Sequence, residues 1–387
     1  MIMTMNEPLG KVSHQLISKL MKVIKLFTVC FCLIPKLLLG QVINKQEIDY
    51  SIHRIGILID QDYFLKFIRP DLNQDRNYTM GAALIFQHAK MGEKGWVYAP
   101  HRFLVNSILG KSNVEGISDA TILLANATFT PAYLGNLHDP ESEYKRKNDR
   151  PFASLNYIGT SLSVLSNSGN GLTTVGINIG AIGLDVSKAV QTTIHRDHWF
   201  GNTSPIPYGW EDQISEGGEP TLLVSGKKDW LLIGRGNTRR YFQLSTNAEL
   251  RLGYYVSSGV GFNARFGLLD GLNWGVNHLP IANGTNLVAA KKNLFELFIL
   301  GGMKGNGWLY NALLMGQFKD GPYQLSLSQI RKGTLDWNLG IGTKIPLCNT
   351  RALRASVMVV GRSPELNTVK EFERWHSWTS FQLYYEW

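Results

Sequence analysis

The sequence predicts an all-β fold, a transmembrane antiparallel β-barrel of about 12 strands with long extracellular loops. Three observations carry that prediction. An export leader opens the chain, period-two alternation runs from residue 52 onward, and the last alternating segment stops on Trp387.

The leader comes first. Met21-Lys22-Val23-Ile24-Lys25 precedes an apolar run from Leu26 to Leu39, followed by Gly40 and Gln41. A basic start, a short apolar stretch and a small residue before a polar one make up a cleaved secretory signal. Pro35 and Lys36 interrupt the run, which is too short to span a bilayer comfortably as a helix. Cleavage is expected near Gly40, with initiation at Met21 as an alternative to Met1. Residues 1–40 are then the signal peptide and 41–387 a single barrel domain.

The strands come next. Ile55, Ile57 and Ile59 alternate with Gly56, Leu58 and Asp60, and Met80, Ala82, Leu84 and Phe86 with Thr79, Gly81, Ala83 and Gln87. The same period returns around Ile158, Ile177, Phe262 and Leu339. One face of each segment is apolar and the other is small or polar, rich in Gly, Ser and Asn. That face suits a narrow lumen better than the charged outer surface of a soluble sandwich. Roughly eleven to thirteen such segments, with the even strand number of bacterial barrels, give twelve. Phe381, Leu383, Tyr385 and Trp387 share one face of the last strand. Residues 90–118, 132–151, 185–238 and 270–292 lack alternation and read as long, outward-facing loops.

Composition narrows the function classes. Hydrophobic residues make up 44% and charged residues 18%, which argues against disorder. Mean hydropathy is near zero, which excludes a bundle of membrane helices but not a barrel. Of the net charge of +9, five lysines against Glu7 place +4 in the leader, leaving +5. That mild excess suits anionic headgroups, and no nucleic-acid motif accompanies it. Cys30 and Cys32 fall in the leader, so the exported chain keeps Cys348 alone and no internal disulfide framework is expected.

Three polar clusters could carry chemistry. The first joins Asp60-Gln61-Asp62 to Asp75-Arg76-Asn77-Tyr78-Thr79-Met80-Gly81. By strand period Asp60 and Asp62 share the lumen face, as does Thr79. Carboxylates in a barrel wall need a partner, water or a cation, so lumen salt bridges with Arg54 or Arg76 compete with a metal site. The second is Thr130-Pro131 with Asn148-Asp149-Arg150-Pro151-Phe152-Ala153, which alone reads as turn chemistry and an ion pair. The third is Gln191-Thr192-Thr193-Ile194-His195-Arg196, then Gly209-Trp210-Glu211-Asp212-Gln213. His195 in isolation also reads as an ordinary surface or packed histidine.

In order and rough spacing these clusters resemble the LpxR family of outer-membrane lipid A deacylases, over about residues 50 to 387. The resemblance implies a twelve-stranded outer-membrane barrel that removes the 3′-linked acyloxyacyl group of lipid A with the help of Ca2+. It implies lipid A in the outer leaflet as partner; no nucleic acid partner is expected, and the chain is expected to be a monomer. Residue by residue, His195 matches the family's essential histidine, Gln191 the glutamine one helical turn before it, and Thr79 the threonine of its Tyr-Thr-x-Gly motif. Asp62 matches the aspartate of an Asn-Asp pair, with Gln61 in place of the asparagine; a shift of one residue would align Asp60 there instead. The family's glutamate after the histidine has no counterpart at Gly201 to Thr203, and Asp197 and Glu211 are the acidic residues nearby. A basic pair after Thr-Pro is also displaced, to Lys145-Arg146-Lys147.

The implied chemistry is hydrolytic. His195 acts as general base on an attacking water, Thr79 and Gln191 orient it, and calcium on Asp62 or Asp60 with amide or carbonyl oxygens polarises the ester. A barrel that only conducts or braces, and a calcium-dependent phospholipase, are the alternatives.

Overall fold

The computed structural model describes residues 52–62, 76–109, 117–134, 140–166, 169–197, 206–234, 239–271, 273–274, 294–348 and 351–387. The leader and Gly201 to Thr203 lie outside these residues. Twelve strands close into one antiparallel barrel. They are β1 (Arg54–Gln61), β2 (Asn77–Gln87), β3 (Ile117–Thr130), β4 (Ala153–Leu165), β5 (Gly171–Ile182) and β6 (Glu219–Ile233). The circuit continues through β7 (Arg239–Gly253), β8 (Tyr255–Asp270), β9 (Glu296–Asn311), β10 (Gly333–Pro346), β11 (Ala352–Arg362) and β12 (His376–Glu386). Each strand pairs with its sequence neighbours, and β1 closes on β12 with Arg54 opposite Glu386 and Gln61 opposite Thr379. Among the described residues five α-helices decorate the connections: α1 (Ala89–Lys94), α2 (Ala99–Leu109), α3 (Pro140–Asn148), α4 (Val186–Arg196) and α5 (Ala312–Met315). Among the described residues no helix is long and apolar enough to cross a membrane.

The alternation is realised as expected. Ile55, Ile57 and Ile59 are exposed on the outer wall while Arg54, Leu58 and Asp60 are buried. The lumen face is richer than small polar residues alone. A twelve-strand circuit is wider than an eight-strand one and needs bulk to fill it. Tyr78, Phe129, Tyr157, Trp308 and Trp378 supply it at one level. Buried ion pairs supply the rest: Arg54–Glu386 at 2.8 Å, Arg354–Glu386 at 2.6 Å, Arg354–Glu296 at 3.2 Å and Arg362–Asp336 at 2.7 Å. Lys304 and Glu249 form another.

Two expectations about loops change. The end opposite the first residue of β1 and the last of β12 carries most of the long connections, which marks it as extracellular. The connections after β2 and after β8 lie at the other, periplasmic end. The helices within 90–118 are therefore not part of an extracellular loop, and of 270–292 only 270, 271, 273 and 274 are among the described residues. Nor is 185–238 one loop, because β6 occupies Glu219–Ile233. Its lumen side carries Lys227 and Asp229 and its outer side Gly226 and Lys228, so the hydropathy contrast that signals a strand is blurred there.

Candidate active site

The site is built around α4. Gly183 turns the chain off β5 with φ +85°, and a Cβ there would collide with the Ser215 carbonyl. Glycine is the residue that fits such a turn. The helix beyond it buries Ser187, Gln191 and His195 and exposes Val186 and Val190. Positions i, i+4 and i+8 form one stripe, so the buried stripe of this helix is entirely polar and its apolar residues look outward.

The stripe covers the outer wall. On β3, Ile122 and Leu124 are exposed to the lipid side, and Asn126, Thr128 and Thr130 continue that face. On β4, Ser154 and Asn156 continue the face of exposed Ile158. Ser187 Oγ donates to Ser154 Oγ at 2.8 Å, accepts from Thr128 Oγ1 at 2.7 Å, and lies 3.2 Å from Asn126 Nδ2. The polar stripe of α4 thus docks on a polar patch of the barrel exterior, at the extracellular end. His195 lies about 12 Å along the axis from Ser187, buried like it.

Thr79 reaches this patch by leaving the alternation. The register of β2 against β3 shifts between Tyr78 and Met80, which makes Thr79 the extra residue of a bulge. Bulges re-aim side chains, and Thr79 Oγ1 sits 2.6 Å from Thr130 Oγ1. It therefore faces the outer patch rather than the lumen that simple strand period assigns it. Thr79 and the helix are joined through Thr130 and Thr128 of β3.

The acidic cluster divides. Asp60 is on the lumen side, where its Oδ2 accepts from Tyr78 Oη at 2.8 Å. Gln61 is half-exposed on the outer face beside Met80. Asp62 is buried past the strand end, its amide donating to the Thr79 carbonyl at 3.2 Å. Among the described residues no three His, Cys, Asp or Glu side chains gather for a metal. The oxygens of Asp62 and Gln61, with main-chain carbonyls, are nevertheless hard donors of the kind calcium takes.

A segment after α4 roofs the site. Trp210 is buried against Phe152, with ring centroids 4.7 Å apart, and its Nε1 donates to Gln191 Oε1 at 3.0 Å. Burying such a ring contributes ~4 kcal/mol or more. That bond fixes the amide, so Gln191 Nε2 is left as a buried donor with no hydrogen-bond partner. Arg146 clamps the roof from α3, donating to Asp212 Oδ2 at 3.0 Å and to the Tyr208 carbonyl at 2.9 Å. Of the displaced basic run only Arg146 is buried, and it is committed to this clamp. Asp197 pairs with Arg196 at 2.9 Å and Glu211 with Lys188 at 3.1 Å. Both acids lie on the exposed side of the roof. Sequence reading passed over Ser187 and Thr128; the four-residue spacing of Ser187, Gln191 and His195 was the signal for the first.

The family model described as "Outer membrane protein LpxR" matches residues 26–387. The chain belongs to the LpxR family. LpxR from Salmonella typhimurium has the same fold, with a TM-score of 0.61 at 15% identity, covering 86% of this chain and 99% of that one. The β domain of the Bordetella autotransporter BrkA gives a TM-score of 0.39 at 12% identity, with 87% and 99% covered. No curated protein matches the chain by sequence. Membership places the barrel in the outer membrane, as the LpxR family description states.

Proposed function

We propose that the chain is a monomeric outer-membrane hydrolase that removes an ester-linked acyl chain, the 3′-acyloxyacyl group, from lipid A at the extracellular rim. The observation that carries this reading is the inverted helix. Its polar stripe of Ser187, Gln191 and His195 faces the polar wall patch, while Val186 and Val190 face the lipid side. Polar groups are held at the depth of outer-leaflet lipid, where an ester can reach them without crossing the lumen.

His195 is the general base. A ring nitrogen takes a proton from water as the water oxygen attacks the ester carbonyl. The same proton then passes to the departing alkoxide, giving a free acid and a hydroxyl. Gln191, held by Trp210, offers its Nε2 donor to the carbonyl oxygen as charge develops there. Thr79, anchored on Thr130, orients the water. Asp62, with Gln61 and main-chain oxygens, would hold a calcium ion, which would supply Lewis-acid polarisation of the carbonyl; Asp60, engaged by Tyr78, would add negative charge from the lumen side.

The test is mass spectrometry of lipid A from cells expressing the chain. Loss of an acyloxyacyl mass with the wild type, and its retention with His195→Ala at equal barrel content, is the expected result. Deacylation that persists in His195→Ala and in EDTA would remove both the base and the ion from the reading. Release of fatty acid from glycerophospholipid but not from lipid A would favour the phospholipase alternative.

A further inference from the structure

The connection after β2 is helical over most of its described residues, Ala89 to Leu109. Helices α1 and α2, with the Trp96–Tyr98 turn between them, pack on the outside of the barrel at its periplasmic end. Tyr98 and Val105 bury against Ala120 of β3, Leu162 and Val164 of β4 and Val175 of β5. Those wall residues share the outer face with Ile122, Ile158 and Ile179. Tyr98 Oη donates to the Thr121 carbonyl at 2.9 Å, and His101 Nε2 lies 3.1 Å from the Thr160 carbonyl and 3.2 Å from Thr160 Oγ1. Thr160 is two residues from Ile158, which with Leu124 and Ile179 forms a row more than half exposed. The helices therefore end where the lipid-facing belt begins.

Their other side is apolar too. Trp96 is 85% exposed and Phe103 71% exposed, and Val97 and Ile108 are exposed beside them. Lys90 and Lys94 are exposed at the α1 end with Glu93 exposed between them, which leaves a net charge of +1 there, whereas Arg102 is spent on the Gly92 and Gly95 carbonyls at 2.6 and 3.1 Å. An apolar face with an aromatic at its edge and lysines at one end matches a helix lying in a membrane interface.

We propose that α1 and α2 form a monotopic anchor that binds glycerophospholipid of the periplasmic leaflet, acyl chains against Trp96, Phe103 and Ile108 and phosphate against Lys90 and Lys94. The occupant is fixed by continuity: the patch prolongs the lipid belt on the same strands, β3 to β5, and so meets the same solvent. Those strands also carry α4 at their other end. The barrel is thereby gripped in both leaflets along one side, and the depth of α4 in the outer leaflet is set from below.

The experiment uses purified, folded protein in a Cys348→Ser background with a nitroxide placed by Phe103→Cys, in phosphatidylethanolamine/phosphatidylglycerol vesicles. Folding is checked first by heat-modifiable mobility on gels. Power-saturation EPR then compares collisions with oxygen and with a water-soluble nickel chelate. The Phe103→Cys label is expected to favour oxygen over the chelate several-fold, as an Ile158→Cys label in the belt does. A Lys332→Cys label at the opposite rim is expected to favour the chelate. Chelate-dominated collisions at position 103 alongside lipid-like collisions at 158 would overturn the proposal. So would a label exposed in vesicles and protected only in native envelopes, which would assign the face to a protein partner.

Discussion

At the scale of single residues the candidate site depends on a few groups with no slack. Gly209 sits at φ +109°, and a Cβ there would run into the Arg146 guanidinium. Gly209→Ala carries both a left-handed backbone penalty and a broken clamp, ~1–3 kcal/mol together. The roof should open to limited proteolysis between 197 and 218 and deacylation should fall, while far-UV melting of the barrel stays put. Gln191 is placed more subtly. Gln191→Leu leaves the Trp210 indole N–H buried without its acceptor, about 1–3 kcal/mol, and removes the free Nε2 donor. Activity is expected to drop at least tenfold through kcat, with KM for lipid A little changed; an unchanged kcat would remove Gln191 from the chemistry. Thr79 shows why strand period misassigned a side chain. One extra residue in β2 puts the bulged side chain on the opposite face, and nothing in Asn77-Tyr78-Thr79-Met80 announces a bulge.

At the scale of elements, the sequence was legible where hydropathy alternates and opaque where function inverts it. The outer faces of β1, β2, β4, β5, β8 and β10 were readable because lipid enforces an apolar residue at every second position. β6 was missed because charge occupies both of its faces. Helix α4 could not be found from an apolar stripe, since its buried stripe is Ser187, Gln191 and His195. The motif order led to His195 and Gln191; the covering wall residues on β3 and β4 lay outside any local pattern. One link between extracellular connections is testable by pH. Burial opposes ionisation of Glu365, but Arg150, 3.0 Å away, and Arg362 outweigh it and hold the carboxyl at about 2. A carboxylate lowered in this way stabilises the fold above its unfolded pKa, near 4.5, and that contribution is lost as pH falls toward about 2. Glu365→Gln should therefore lower the melting temperature at pH 7 and flatten the pH dependence between 4.5 and 2. Equal slopes in variant and wild type would exclude the link.

At the scale of the whole molecule, the barrel is filled rather than hollow. Aromatic rings occupy one level of the lumen, and ion pairs around Glu386, Glu296 and Asp336 occupy others. Planar bilayers containing the purified protein are expected to show no stepwise conductance in molar salt, and channel-sized steps that scale with protein would contradict a plugged lumen. Legibility was also greatest at this scale, since strand number and closure came from counting alternating segments. Closure itself has a kinetic side. The ion pair that seals β1 to β12, Arg54 to Glu386, joins residues 332 positions apart. Holding such distant segments together costs roughly 5 kcal/mol of loop entropy, returned only when the whole ladder from Arg54 to Gln61 forms. Until then both edge strands stay open to any passing β-segment, so the chain is most prone to mispairing in the interval between export and the arrival of its last strand.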